Sequence, residues 1–215
     1  MSEFSKRRDD ILARLKAQTD RPVELVAVSK RQPDDRIDAV LATRQRVFGE
    51  NRVQEAMSRW ESRRSIEGLT LHLIGPLQSN KAEQAVALFD VIETVDRPKI
   101  IKALASEGEK IGRYPDIFIQ VNTGREDQKS GVLVDDLAEL VDLARRDYPG
   151  KLVGLMCIPP VEEPAAPHFA LLKKLATRFD LPKVSMGMSS DYEIAAHLGA
   201  THVRVGSALF GERPD

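Results

Sequence analysis

Cysteine is almost absent from this sequence. Cys157 is the only cysteine among 215 residues, and neither a CxxC spacing nor a cysteine–histidine cluster occurs. An internal disulfide is therefore impossible, a structural zinc site is disfavoured, and a lone thiol suits a reducing compartment. We expect a cytoplasmic protein.

Long apolar runs and an excess of charge of one sign are also missing. No window approaches the ~18 consecutive apolar residues of a membrane span. The charged stretch from Met1 to Lys16 lacks the apolar centre and cleavage site of a signal peptide. Lysine and arginine number 32 against 33 acids, so no global positive field favours nucleic acid or an anionic membrane. We expect a soluble chain with neither kind of partner.

Short apolar runs rich in β-branched residues alternate with charged stretches of helical spacing. The runs predict strands over Glu24–Ser29, Arg46–Phe48, Thr70–Ile74, Val91–Val95, Asp116–Val121, Lys151–Met156, Lys183–Met186 and His202–Val205. The charged stretches predict helices over Phe4–Leu15, Asp34–Ala42, Val53–Arg63, Ala82–Leu88, Pro98–Glu109, Val134–Arg146, Pro167–Arg178 and Asp191–Leu198. Hydrophobic residues make up 42% of the chain, which is enough to build one well-packed domain.

The order of these elements predicts the fold class. Near-continuous apolar strands such as ELVAVS and DIFIQV are typical of a parallel sheet covered on both faces. Strands alternating with helices in this number predict a single (β/α)8 TIM-type barrel, with an extra N-terminal helix and no second domain. An open doubly wound sheet would share every local signal and would differ only in whether the last strand closes on the first.

Functional residues of such barrels gather where the strands end. Lys30 follows the first apolar run, and partial burial there would favour the free amine that forms a Schiff base. A solvated strand-end lysine is the alternative. Asn51 follows the second run, where it could face the mouth of the barrel or simply cap a helix. His72 lies within the third run, so we interpret it as a hydrogen-bonded core residue rather than a catalyst.

The last third of the chain offers groups for anion binding. Ser189 and Ser190 lie at a strand-to-helix junction, and Gly206-Ser207 follows the last run. Barrels often bind phosphate with these loops, although ordinary helix caps would look the same. The alternation of side chains along a strand places Arg204 on the inward face of the barrel. A guanidinium buried there requires an acid or a ligand as its partner. An amine, a phosphate cradle and a buried cation together fit pyridoxal 5′-phosphate (PLP), with Arg204 facing the ring nitrogen.

Blocks covering nearly the whole chain in order resemble the pyridoxal phosphate homeostasis proteins. These blocks are AVSK, FGENRVQEA, HLIGPLQSNK, VNTGREDQKSG, GLMCIPP, SMGMSSDYE and VRVGSALFG. The resemblance implies a barrel similar to the N-terminal domain of bacterial alanine racemases, in a cytosolic monomer that carries PLP on the lysine matched by Lys30. It also implies a role in PLP binding and supply, with PLP-dependent apoenzymes as candidate recipients.

The resemblance also assigns individual residues. It places Asn51 at a cofactor contact, Ser189 and Gly206-Ser207 at the phosphate, and Arg204 at the pyridine nitrogen. Leu71 departs from the family, which often has tryptophan before the histidine, but this position touches no inferred cofactor contact.

Several functions stay open at this stage. The leading hypothesis is a PLP-binding protein of intracellular vitamin B6 homeostasis, with little or no catalysis of its own, because Tyr114, Tyr148 and Tyr192 are poor candidates for a second base. One alternative is a racemase-like PLP enzyme that uses Lys30 as a base. A class I aldolase or sugar-phosphate enzyme with a substrate carbonyl on Lys30 is another, and an interaction module is the last.

Overall fold

Parallel strands close into a ring in the computed structural model, which describes residues 2–212. The ring consists of β1 Glu24–Val28, β2 Val47–Glu50, β3 Thr70–Leu73, β4 Val91–Val95, β5 Asp116–Asn122, β7 Leu152–Met156, β8 Lys183–Ser185 and β9 His202–Val205. A short strand that the sequence did not predict, β6 (Val132–Leu133), pairs with the C-terminal end of β5.

The seam between the first and last strands decides between a barrel and an open sheet. β1 pairs in parallel with β9, with Glu24 opposite His202 and Val26 opposite Arg204. Pairing of β4 with β5 joins the remaining halves of the sheet. The ring is therefore closed, and the prediction of a single (β/α)8 barrel is confirmed.

Helices cover the outside of the ring because their apolar stripes pack against the strands. They are α1 Glu3–Gln18, α2 Asp34–Ala42, α3 Val53–Trp60, α4 Ala82–Leu88, α5 Pro98–Ile111, α6 Leu137–Asp147, α7 Ala165–Arg178, α8 Tyr192–His197 and α9 Ser207–Phe210. Each predicted helix is present; α2 and α4 have the predicted bounds, and the other helices have shifted ends. For example, α3 is followed by a 3-10 turn over Glu61–Arg63, and α6 begins late because Val134 follows β6.

The core has an outer layer and an inner layer. Large side chains such as Trp60, Phe48 and Phe169 fill the space between strands and helices. A small apolar cluster of Val91, Phe118, Val153 and Met156 forms a separate inner layer. Other buried side chains are polar or charged, as the site described below shows.

The direction of the strands creates the mouth of the barrel. Because neighbouring strands are parallel, their C-terminal ends meet at one end, where the βα loops lie side by side. At the side of the barrel, α1 packs against α8 and α9. Within residues 2–212, no helix has the length and apolar character that crossing a membrane requires.

Candidate functional site

A cavity of about 320 Å³ opens at the mouth of the barrel. Every residue that the sequence analysis selected for cofactor binding lies on its wall, namely Lys30, Asn51, Ser189, Arg204, Gly206 and Ser207. Val28, Ile74, Ile158, Met188 and Ser190 complete the wall. An aliphatic space with a few convergent polar groups is the usual form of a small-molecule site.

Lys30 follows the buried end of β1 and is itself half-buried. The next residue, Arg31, has a left-handed backbone with φ 58°, which costs a non-glycine residue about 1 kcal/mol. The amide of Gln32 donates to the carbonyl of Ser29 at 3.0 Å and closes a turn around the lysine. The chain therefore turns directly after the strand, and Lys30 contributes to the cavity wall.

A buried carboxylate supports this turn. Oε1 of Glu50 accepts hydrogen bonds from the Ser29 hydroxyl at 2.7 Å, the Arg59 guanidinium at 2.9 Å and the Trp60 indole at 2.9 Å. Arg59 also donates to the carbonyl oxygens of Ser29 and Gln32. Charge-assisted bonds of this kind are stronger than neutral ones, so they fix the loop that carries the lysine. Sequence reasoning missed Glu50, although an acid at the end of an otherwise apolar strand was a usable signal.

Asn51 lies in the loop after β2 and is half-buried. The alternative that it caps α3 is wrong, because the N-cap is Arg52 and no side chain caps this helix. A Cβ atom placed on Gly75 would lie 2.2 Å from the carbonyl oxygen of Asn51. Only a glycine allows the loops after β2 and β3 to touch in this way, and their contact holds Asn51 at the wall.

The loops after β8 and β9 meet through a serine. Oγ of Ser189 accepts hydrogen bonds from the backbone amides of Gly206 at 3.2 Å and Ala208 at 3.4 Å. The loop after β8 contains Gly187, which has φ 91° and would place an added Cβ atom 2.5 Å from the Cβ atom of Ala195. Hydroxyls and backbone amides therefore converge at this end of the cavity, and such donors are what a phosphate group requires.

Arg204 is only 4% exposed and projects inward from β9. Its Nη1 donates to the hydroxyl of Ser185 at 2.6 Å, and its Nη2 donates to the carbonyl of Cys157 at 2.8 Å. Oε2 of Glu93 lies 3.7 Å from Nη1. The sequence left open whether an acid or a ligand satisfies this guanidinium. The Ser185 hydroxyl and the Cys157 carbonyl accept its hydrogen bonds, and Glu93 supplies the opposite charge, while the guanidinium still forms part of the cavity wall.

Glu93 lies on β4 and is completely buried. Its Oε2 accepts a hydrogen bond from Ser185 at 2.6 Å, and its Oε1 lies 2.6 Å from Nδ1 of His72. Burial by itself would raise the pKa of this carboxyl, but the bond to His72 and the charges of His72 and Arg204 outweigh it and lower the pKa to about 2. His72 is thus a hydrogen-bonded core residue, as its place in an apolar run predicted.

Other side chains considered in the sequence lie off the cavity wall. The thiol of Cys157 is buried, and burial raises its pKa to about 12. Tyr192 is buried on α8, while Tyr114 and Tyr148 form an edge-to-face pair with ring centroids 6.0 Å apart. The loop over residues 123–131 forms its own ion pair between Lys129 and Glu126 at 2.7 Å.

Comparison with known proteins gives matches over most of the chain. Residues 10–214 match the alanine racemase N-terminal domain family. A Pseudomonas aeruginosa protein named pyridoxal phosphate homeostasis protein is 41% identical, covering 89% of this chain and 85% of its own length. An Aquifex aeolicus protein of the same name is 36% identical, covering 88% of this chain and 87% of its own.

Solved structures give the same picture. PipY of Synechococcus elongatus, solved with PLP bound, is 36% identical and has a TM-score of 0.86, covering 97% of this chain and 100% of that one. An alanine racemase of Clostridium difficile shares the fold at 15% identity, with a TM-score of 0.72 over 95% of this chain and 56% of that one. The sequence relatives and the barrel agree, and this chain belongs to the pyridoxal phosphate homeostasis protein family.

Proposed function

We propose that this chain binds PLP in the cavity at the mouth of the barrel and acts in intracellular PLP homeostasis. The observation that carries the proposal is the convergence of Lys30, the Ser189 and Gly206-Ser207 loops and Arg204 on one space of about 320 Å³. These groups come from strands far apart in the chain, yet together they match an aldehyde, a phosphate and a pyridine ring.

Each group has a defined part in the proposal. Lys30 holds PLP as a Schiff base, in which its ε-nitrogen is bonded to the aldehyde carbon of the cofactor and the aldehyde oxygen has left as water. Ser189 and Ser207 bind the phosphate through their hydroxyl groups, and the Gly206 amide, which donates to Ser189 Oγ in the structure, exchanges this partner for a phosphate oxygen. Asn51 makes a further contact at the opposite loop, and the aliphatic wall residues exclude water from the ring.

Arg204 faces the ring nitrogen in this proposal. A guanidinium beside the pyridine nitrogen disfavours protonation of that nitrogen, which weakens the ring as an electron sink. Catalysis on an amino acid also needs a base on each face of the reacting carbon when the product is a racemate. Among the described residues of the cavity wall, Lys30 is accompanied by no histidine, tyrosine, cysteine or acid. These features favour a protein that holds and supplies PLP with little or no catalysis of its own.

The relatives support the same function. The names of the Pseudomonas and Aquifex proteins refer to PLP homeostasis, and the PipY structure contains PLP. The monomeric state, the cytoplasmic location and the transfer of PLP to apoenzymes stay predictions from the sequence.

Absorbance spectroscopy tests the proposal directly. Purified protein mixed with PLP should show the visible band of a Schiff base, and Lys30→Ala should abolish this band. Lys81→Ala is the matched control, because Lys81 lies in a neighbouring groove of the mouth and not on the cavity wall. A band that survives in Lys30→Ala would show that PLP is held elsewhere. Borohydride reduction and mass mapping of the modified lysine would then locate it.

The racemase-like alternative has its own test. In deuterated water, wild-type protein loaded with PLP should exchange the Cα hydrogen of amino acids for deuterium no faster than free PLP does. Exchange well above that rate across an amino-acid panel would establish an enzyme. A protein that never binds PLP, yet reacts with sugar phosphates at Lys30, would favour the aldolase alternative.

A further inference from the structure

The guanidinium of Arg204 is linked to an acid on the opposite wall of the barrel. β9, which carries Arg204, and β4, which carries Glu93, are separated by the same number of strands in either direction around the ring. Ser185, the last residue of β8, bridges them, accepting from Arg204 and donating to Glu93, each at 2.6 Å. The bridge therefore crosses the interior of the barrel beneath the cavity.

The bridge determines where the charge of Arg204 lies. The direct separation between Nη1 of Arg204 and Oε2 of Glu93 is 3.7 Å, which is too long for a direct hydrogen bond. The Ser185 hydroxyl supplies the contact instead. A buried guanidinium without a nearby acid is strongly disfavoured, so the buried carboxylate of Glu93 is what makes a charged Arg204 tolerable at this depth.

The remaining contacts fix the orientation of the bridge. Nη2 of Arg204 donates to the carbonyl of Cys157 at 2.8 Å, and His72 occupies the other oxygen of Glu93 at 2.6 Å. With both ends of the guanidinium and both carboxylate oxygens engaged, the side chain has little freedom to rotate. Pre-organised groups of this kind bind ligands with less loss of entropy.

We propose that Ser185 and Glu93 are positioning residues that hold the Arg204 guanidinium at the cavity wall and thereby set the affinity and the absorbance of bound PLP. This inference rests on the proposed function, in which Arg204 faces the ring nitrogen. Neither residue lies on the cavity wall, so each acts through Arg204 and not by touching the cofactor.

Ser185→Ala is the central variant because it removes only the bridging hydroxyl. PLP should still react with Lys30, but its dissociation constant should rise about ten-fold, the effect of losing a hydrogen bond to a charged group. The absorbance of bound PLP should also change in its dependence on pH, because a displaced guanidinium no longer suppresses protonation of the ring nitrogen. Glu93→Gln should produce the same spectral change.

Tyr148→Phe is the matched control for the loss of a buried hydrogen bond. Its hydroxyl donates to the carbonyl of Pro115 at 2.6 Å, at the start of β5 and away from the cavity. This variant should lose stability while keeping the affinity and spectrum of the wild type. Thermal unfolding without PLP, recorded for each variant, separates a general loss of stability from an effect on the cofactor.

A double-mutant cycle shows whether Ser185 acts through Arg204. In an Arg204→Lys background, adding Ser185→Ala should weaken PLP binding much less than it does in the wild type, because the contact is already lost. Additive effects, or a Ser185→Ala variant that matches the wild type in affinity and spectrum, would overturn the inference alone. Wild-type protein that shows no Schiff-base band with PLP would overturn it together with the proposed function. Should Glu93→Gln not fold, the Ser185 variants decide the outcome.

Discussion

A buried histidine should make the free energy of unfolding fall on mild acidification. His202 is 8% exposed at the start of β9, and its ring centroid lies 5.8 Å from that of His72. Burial lowers the pKa of His202 to about 4, from an ordinary 6.5. The charge of Glu93 opposes this shift, whereas the charges of His72, Lys183 and Arg204 reinforce it.

The direction of the effect follows from the protons bound by each state. Between pH 6.5 and about 4, His202 is neutral in the folded protein but protonated in the unfolded chain. The unfolded chain then binds more protons, so stability falls as the pH falls. A change in pKa from 6.5 to about 4 corresponds to about 3 kcal/mol lost across that interval. Such a loss is a large fraction of the roughly 5–15 kcal/mol that stabilise a typical domain.

Urea unfolding between pH 7 and pH 4.5, without PLP and followed by the fluorescence of the buried Trp60, measures this loss. Wild-type protein should lose about 2 kcal/mol more than His202→Gln over this range. The slope of the unfolding free energy against pH is compared between variants, because the substitution also changes the stability at pH 7. His197→Gln, which replaces an exposed histidine of α8, should follow the wild-type slope. Parallel curves for wild type and His202→Gln would refute the reasoning, because the histidine would then titrate alike in both states.

Other expectations concern the loops and the thiol. Gly75→Ala places a Cβ atom 2.2 Å from the Asn51 carbonyl, so it should destabilise the fold by about 1–3 kcal/mol in thermal unfolding and weaken PLP binding. An unchanged melting temperature would show that the two loops separate easily. Cys157 is fully buried with a pKa raised to about 12, so a disulfide reagent at pH 8 should label it only as fast as the protein unfolds. Labelling of the native protein within seconds would contradict this burial.

Much of the fold could be predicted because most strands have a recognisable apolar run in their own local sequence. Runs such as DIFIQV are apolar at successive positions, and this pattern survives in β5, whose residues are almost all buried. β6 could not be predicted in the same way. It has only two residues, Val132 and Leu133, and they are partly exposed, so nothing in their pattern distinguishes a strand from a loop.

The residues of the candidate site were predictable where their position at the end of a strand is enough to bring them together. Lys30, Ser189 and Gly206 follow strand ends, and parallel strands bring such residues together at one mouth. The supporting groups were not predictable, because they depend on which strands lie opposite each other. Glu93 meets Arg204 only through the order of strands around the closed ring, and a single sequence gives no sign of that pairing.

The seam between β1 and β9 has a consequence for biosynthesis. Lys30 follows the first strand of the ring, and the Gly206 turn follows the last. While the protein emerges from the ribosome, β1 stays an uncovered sheet edge until β9 has been translated. Unpaired edges can pair with other chains, so we expect the nascent protein to require a chaperone until late in synthesis. In the proposed function PLP cannot assist earlier steps, because Lys30 and the Gly206 turn come together only when that edge is covered.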